Sequence, residues 1–340
     1  ISLLLVGAAC QPTPPQAQPQ EPPLPAGCNP LGGSPGEDCL TPFPSSYYLE
    51  PDAGGTPRLR IPAGVLPTSI QGVPLSPDLF NGRDGFSPAT PLLAYFPLTS
   101  GRLDVTNLPT AGRAGESLLP SSPIQLFEYE SGERVPILAE PDRNAGSGER
   151  QALVIYPQLR LRPATRYVVA LTALSSESGM RLPAPSGFVA LRDGRLDSGS
   201  PRSKLKARYD EIFAFLDRQG LSRQRLQLAW DFQTASDTHS SGRLLRMRDA
   251  AFSFRATTGT TAGLIVDKVV ERPAGRMELL RQIFGRLSAP SFLTDDSSGR
   301  LLSGRDGEPA IRGIGQFPLT IHIPTCVEKA MGPVPILLYG

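Results

Sequence analysis

Gly32-Gly33-Ser34-Pro35-Gly36 has the G-x-S-x-G spacing of a serine nucleophile. That chemistry needs a strand before the serine and a helix after it, so that Oγ stands on a strained turn beside backbone N–H donors. Here the serine lies in Pro-rich chain between Cys28 and Cys39 and reads as a loop residue. A partner base is also hard to find, because the sequence holds two histidines, His239 and His322. His239 sits among Thr and Ser at an expected helix start, a solvated place. His322 alternates within LTIHIPT and reads as a strand residue. Neither follows a credible nucleophile, so no catalytic triad is expected in these residues.

Metal chemistry is no better supplied. Two histidines and four scattered cysteines make no zinc set. DDSSGR (295–300) and GRDGE (304–308) put carboxylates beside glycine without the alternating ligands of a calcium loop, and read as hairpin turns. No metal and no cofactor are expected. The net charge of +2 gives no electrostatic case for nucleic acid. Lysine occurs only at 204, 206, 268 and 329, so the basic residues are mostly arginine.

Ile1 to Ala9 has the length of a signal-peptide apolar region and ends in small residues before Cys10. Two readings stand. In one, Cys10 carries lipid and holds the protein to a bilayer. In the other, the run is an ordinary secretory signal with a cysteine nearby. Lipoprotein signals usually have Leu or Val three residues before the cysteine; here that place is Gly7, with Val6 one further back. Either reading exports the chain to the cell envelope or beyond, an oxidising compartment in which Cys28 and Cys39 are placed to bond and Cys326 is left over. No run reaches about 18 apolar residues, the length that spans a bilayer.

Four regions must position whatever chemistry there is. Residues 1–9 are a signal remnant, and 10–37 a Pro-rich tether too poor in apolar side chains to build a core. From 38 to 193, short alternating runs separated by Gly, Pro and Ser predict a β-sandwich. Its strands are expected near 91–97, 124–129, 134–138, 151–156 and 166–174, with Tyr167, Val169 and Leu171 turned inward. Beyond 193 the period changes. Leu205, Tyr209, Ile212, Phe213 and Leu216 share one helix face, with Ser203 as the cap. Leu226, Leu228, Trp230 and Phe232 alternate along a strand, a second helix follows, and strands are expected at 263–270, 283–293 and 317–323. Pro333 to Tyr339 reads as a buried strand.

DCLTPFPSSYYLEPD (38–52), DGFSPATPLLAYFP (84–97), YPQLRLRPATRYVVALTAL (156–174) and LQLAWDFQTASD (226–237) together resemble secreted bacterial α/β-hydrolase-like proteins, the extracellular lipases and esterases with a β-sandwich ahead of the hydrolase domain. The segment from Tyr156 to Pro183 separately resembles bacterial Ig-like domains. The fold so implied is mostly β with some α: an N-terminal Ig-like β-sandwich, then the incomplete front part of an α/β-hydrolase domain over 194–340. In the resembling proteins the strand matching PVPILLYG leads into the His-Gly pair of the oxyanion loop. Tyr339 and Gly340 would border that loop, and the triad would lie past the end of the chain.

The resemblance implies an ester or lipid substrate for a longer protein; the alternative is a non-enzymatic surface module whose Ig-like domain binds a partner. Alkylation of the unreduced protein, read by mass spectrometry, is expected to leave Cys28 and Cys39 unlabelled and to label Cys326. A Cys39–Cys326 link would contradict the pairing.

Overall fold

The computed structural model describes residues 24–32, 39–96, 102–145, 151–259, 263–295, 299–305 and 307–339. The chain is mostly β with some α, its strands forming four antiparallel sheets. It divides into two compact units, Ile1–Asp237 and Thr238–Gly340.

In the first unit, β1 (Leu49–Pro51) and β2 (Pro57–Leu59) make a small ribbon. Asp52 closes its turn, accepting from Gly54 N and Thr56 N and pairing with Arg58 at 2.9 Å. After β3 (Leu92–Tyr95) and β4 (Ile124–Glu128), the run expected as one strand at 134–138 is two. β5 (Arg134–Val135) pairs with β4, whereas β6 (Ile137–Pro141) pairs with β7 (Ala152–Pro157) in another sheet. The break falls at Pro136, which has no N–H to give a ladder, and the chain changes sheets there.

The three-stranded sheet β3-β7-β6 buries one face. Leu92, Ile155 and Ala139 lie in register on it, all fully buried, while their strand neighbours are partly exposed or polar. The four-stranded sheet is different. Its order is β5-β4-β8-β9, with β8 at Arg166–Thr172 and β9 at Leu226–Gln233. Tyr167, Val169 and Leu171 are buried as expected, but so are Val168, Ala170 and Thr172, so neither face of β8 meets solvent.

Register explains this. Phe127, Val168 and Asp231 lie side by side and face the helix α3 (Lys206–Arg218), where Phe127 meets Phe215 edge-on at 5.8 Å. Leu126, Val169 and Trp230 lie on the other face, where the Trp230 indole donates to the Pro44 carbonyl at 2.8 Å. The buried faces of both sheets and of α3 join one hydrophobic cluster. Because β9 pairs with β8 along its length, residues 194–237 belong with the preceding strands, and the division falls after Asp237 rather than after 193.

The tether expectation also needs correction. Residues 28–31 are buried, Asn29 and Leu31 almost completely. Asn29 donates to Pro42 O and accepts from Leu31 N. Buried Arg202, in the short helix α2 (Pro201–Lys204), donates to Pro30 O at 2.7 Å. Phe188 N, in the first turn of α1 (Ser186–Arg192), donates to Leu31 O. The Cys28–Cys39 disulfide is formed, with Cα atoms 4.6 Å apart. Residues 10–23 and 33–37 of that expectation, and Cys10 with them, lie outside the described residues. The cap expected at Ser203 is not formed: α3 has Leu205 at its N-cap with no side-chain cap, and Ser200 caps the separate α2, accepting from Ser203 N.

The second unit starts from the single turn α4 (Asp237–Ser240) and the helix α5 (Gly242–Thr258). A meander follows: β10 (Leu264–Glu271), β11 (Leu279–Ser291) and β12 (Gly313–Pro324), in that order. Among its described hydrophobic residues only Leu279 and Phe292 are buried. Leu244 and Phe252 on α5 and Leu264, Val266 and Val269 on β10 are exposed. Pro333–Tyr339 has no assigned secondary structure, and Ile336, Leu337, Leu338 and Tyr339 are 92–94 % exposed. The buried strand expected there is not formed among the described residues.

Gly187 lies where α1 meets the 30–32 backbone; a Cβ there would fall far inside contact distance of the Pro30 and Gly32 carbonyl oxygens. Gly187→Ala is expected to cost about 1–3 kcal/mol in urea denaturation, with the 24–32 segment becoming the first site of proteolysis.

Candidate functional site

The densest set of ionisable side chains in the first unit surrounds Asp231, in mid-strand on β9 with 4 % of its side chain exposed. Strand alternation turns it toward α3, between the inward-facing Trp230 and Phe232. Arg208, on α3, donates from Nε to both carboxylate oxygens at 2.9 Å and from Nη2 to Oδ2 at 2.7 Å. Arg166, at the start of β8, donates from Nε to Oδ2 at 2.7 Å and from Nη1 to Glu211. The Arg166 guanidinium also lies over the Tyr129 ring, 4.1 Å from its centroid. Burial alone would lower the Arg166 pKa. The charge and hydrogen bond of Asp231, with Glu211, outweigh it and hold the group above its ordinary value.

This arrangement sets what the cluster can do. A general base needs a free lone pair within reach of a substrate proton. Both oxygens of Asp231 already face guanidinium N–H groups, so it positions β8, β9 and α3 rather than moving protons. A second polar place is a cleft of about 460 Å³ lined by Arg192, Asp193, Lys206, Tyr209, Asp210 and Arg223, among others. Both carboxylates of the wall are paired: Arg192, with Arg195 from outside the cleft, holds Asp193, and Lys206 holds Asp210 at 2.6 Å. The hydrogen bond from Arg192, against a smaller effect of burial, keeps the Asp193 carboxyl below its usual range. Arg223 donates to the Arg192 and Leu191 carbonyls and lies over Phe213, 4.2 Å from its centroid.

The structure does not draw the sequence-derived candidates together. Of the G-x-S-x-G stretch only Gly32 is described; Gly33 to Gly36 lie outside the described residues, as does Gly340. His239 is exposed in α4. His322 is exposed on β12, where its Nε2 lies 2.9 Å from the side-chain nitrogen of Gln282 on β11. Tyr339 is exposed. The two acidic Gly-containing stretches are flanked by bridges, Leu293 to Leu301 and Ser303 to Pro309, and residues 296–298 and 306 within them lie outside the described residues. No group of three His, Cys, Asp or Glu able to hold a metal stands together among the described residues.

Sequence reasoning missed Asp231 and its two arginines. The signal was a lone carboxylate inside LQLAWDFQ with an arginine opening the preceding strand, but the helix register that brings Arg208 there cannot be counted from the sequence.

The class so defined is a mostly β chain whose first unit pairs an apolar core with one buried carboxylate held by two arginines. Compared with known protein families and with curated proteins, the chain finds no match.

Tyr209 donates to Ala229 O at 3.0 Å and is pushed well above the ordinary tyrosine range, first by burial and then by the Asp231 charge. A raised folded-state pKa contributes stability that is whole below the ordinary tyrosine value and is lost as pH rises. In an alkaline titration followed by phenolate absorbance, the last of the eight tyrosines is expected to ionise only as the protein unfolds. Tyr209→Phe removes that component.

Proposed function

We propose that this chain is the leading, non-catalytic part of an exported carboxylic-ester hydrolase of the lipase and esterase kind, held at the bacterial cell envelope through a lipid on Cys10. The observation that carries the reading is the exposed apolar run Ile336–Tyr339 beside a meander with little core of its own. Such side chains are ordinarily buried, and a unit of this size needs more apolar burial than Leu279 and Phe292 supply. In the resembling proteins the same run is a strand of the hydrolase sheet, leading into the oxyanion loop. The later strands would cover it and would bring the nucleophile, base and acid.

The first unit supports the reading in a second way. The segments that carry the resemblance meet one another: Pro44 receives the Trp230 indole, Phe86 exchanges hydrogen bonds with Gln233 and Ala235, and β8 pairs with β9. They form one framework. An Ig-like sandwich ahead of the catalytic domain is part of this proposal, and its place is that of a rigid support.

The test is hydrolysis of short-chain nitrophenyl esters. The 340-residue chain is expected to give no turnover above buffer. The same chain extended along its gene through a His-Gly pair and a G-x-S-x-G motif is expected to turn over, and to lose activity when that serine is replaced. Turnover by the 340-residue chain that disappears with His239→Ala or His322→Ala would place the active site within these residues and overturn the proposal.

A further inference from the structure

Residues 61–82 leave the first unit and return to the point of departure. At the base, Asn81 brackets Ile61, accepting from its N–H at 2.7 Å and donating to its carbonyl at 3.0 Å. Leu59 and Gly82 are joined by backbone, as are Leu59 and Arg83. Ile61 and Val65 are buried in the core. From Leu66 to Phe80 no side chain is buried. This is a closed loop, anchored at its foot, with its body in solvent.

The body is apolar all the same. Ile70 at the tip is fully exposed, and Val73, Leu75, Leu79 and Phe80 are exposed along the returning arm. Asp78 is the one charged residue between Ile61 and Gly82. Part of the backbone is satisfied from within: Ser69 N donates to Val73 O, Gly72 N to Ser69 O, Val73 N to Ser69 Oγ, and Phe80 N to Pro77 O. Pro67, Pro74 and Pro77 have no N–H to satisfy.

The charges stand at the foot. Arg60 and Arg83 are exposed on the two chains that enter and leave the loop. Arg58 donates to Gly82 O in the same place, but its charge is matched by Asp52. An uncharged apolar tip above a basic collar complements a phospholipid surface, with hydrocarbon beyond and phosphate at the rim.

We propose that the 66–80 loop inserts into an anionic bilayer interface, Ile70 foremost, with Arg60 and Arg83 at the level of the lipid phosphates. Leu66 to Ile70 spans at most about 13 Å when extended, enough for the roughly 5–10 Å depth of interfacial insertion. Asp78, which accepts from Ser76 Oγ, keeps the returning arm at headgroup level. A second copy of the chain is the weaker occupant, because a projecting tip is not complementary to itself. The inference does not rest on ester hydrolysis or on lipidation.

The test uses the full chain with Cys10→Ser, so that no acyl anchor contributes, and Ile70→Trp as reporter; the native Trp230 is buried and serves as a constant background. Vesicles of phosphatidylglycerol and phosphatidylcholine are expected to shift the reporter emission to the blue and to expose it to quenching by brominated acyl chains. Pure phosphatidylcholine gives a weaker response. In the Cys10→Ser chain without the reporter, Ile70→Asp with Leu79→Asp is expected to lower vesicle partitioning by roughly tenfold or more, with the thermal midpoint unchanged. Arg60→Ala with Arg83→Ala removes most of the preference for anionic lipid. An unshifted reporter, partitioning indifferent to the aspartates, or a dimer in gel filtration that the aspartates dissociate would each overturn the proposal.

Discussion

Asp231 is a carboxylate in the middle of a strand covered on both sides, and the first unit is organised around the partners that surround it there. An ionised group taken out of water costs several kcal/mol unless partners replace its solvation. Arg208 supplies them from α3 and Arg166 from β8, so one side chain ties a helix and two strands at fixed positions. Glu211 and the Tyr129 ring then share the charge of Arg166. Replacing Asp231 would leave two guanidinium groups facing each other across an apolar wall. The pairing is therefore a constraint of register as well as charge: a slip of β9 by one residue would aim the carboxylate at the opposite face, away from both partners.

The opposite face is fixed by a weaker but equally local device. Trp230 follows Ala229 and precedes Asp231, so its indole must point away from α3, where it finds the Pro44 carbonyl. Phe232 stacks on Tyr167 on the same side, ring centroids 5.6 Å apart. Adjacent residues thus secure β9 from its two faces, one by charge and one by packing. Among its described residues the second unit has no comparable arrangement. Its cross-strand pairs, Arg286 with Asp267 and Arg281 with Glu271, are exposed and contribute little beyond solubility.

Strand positions were legible wherever a run had the right residues and length: β4, β7, β8 and β9 lie within a residue or two of where alternation puts them. The burial of β8 was not. YVVALT is apolar on both parities, and the sequence offers no means of telling one covered face from two. Composition misled at the N-terminus, because averaging over a Pro-rich stretch hides Pro30 and Leu31, which are held by Arg202 and Phe188 more than 150 positions away. Pro136 could be read as a break, but the change of sheet it permits depends on the partners of β5 and β6. Among the candidate site residues, Ser34, His239 and His322 were judged by neighbours in sequence. Asp231 gains its meaning only from neighbours in space.

The grip on residues 28–32 gives the protein a mechanical property. A pull transmitted along the chain from its N-terminal side first meets a covalent bond at Cys28, which divides the load between two stretches of backbone. Next it meets Asn29 on Pro42, Arg202 on Pro30 and Phe188 on Leu31, three attachments to three separate parts of the unit. No strand is peeled from an edge until all of these have failed. Tension applied at that end would turn the whole unit about its point of suspension, as a float turns on its mooring, and leave the sheets undisturbed.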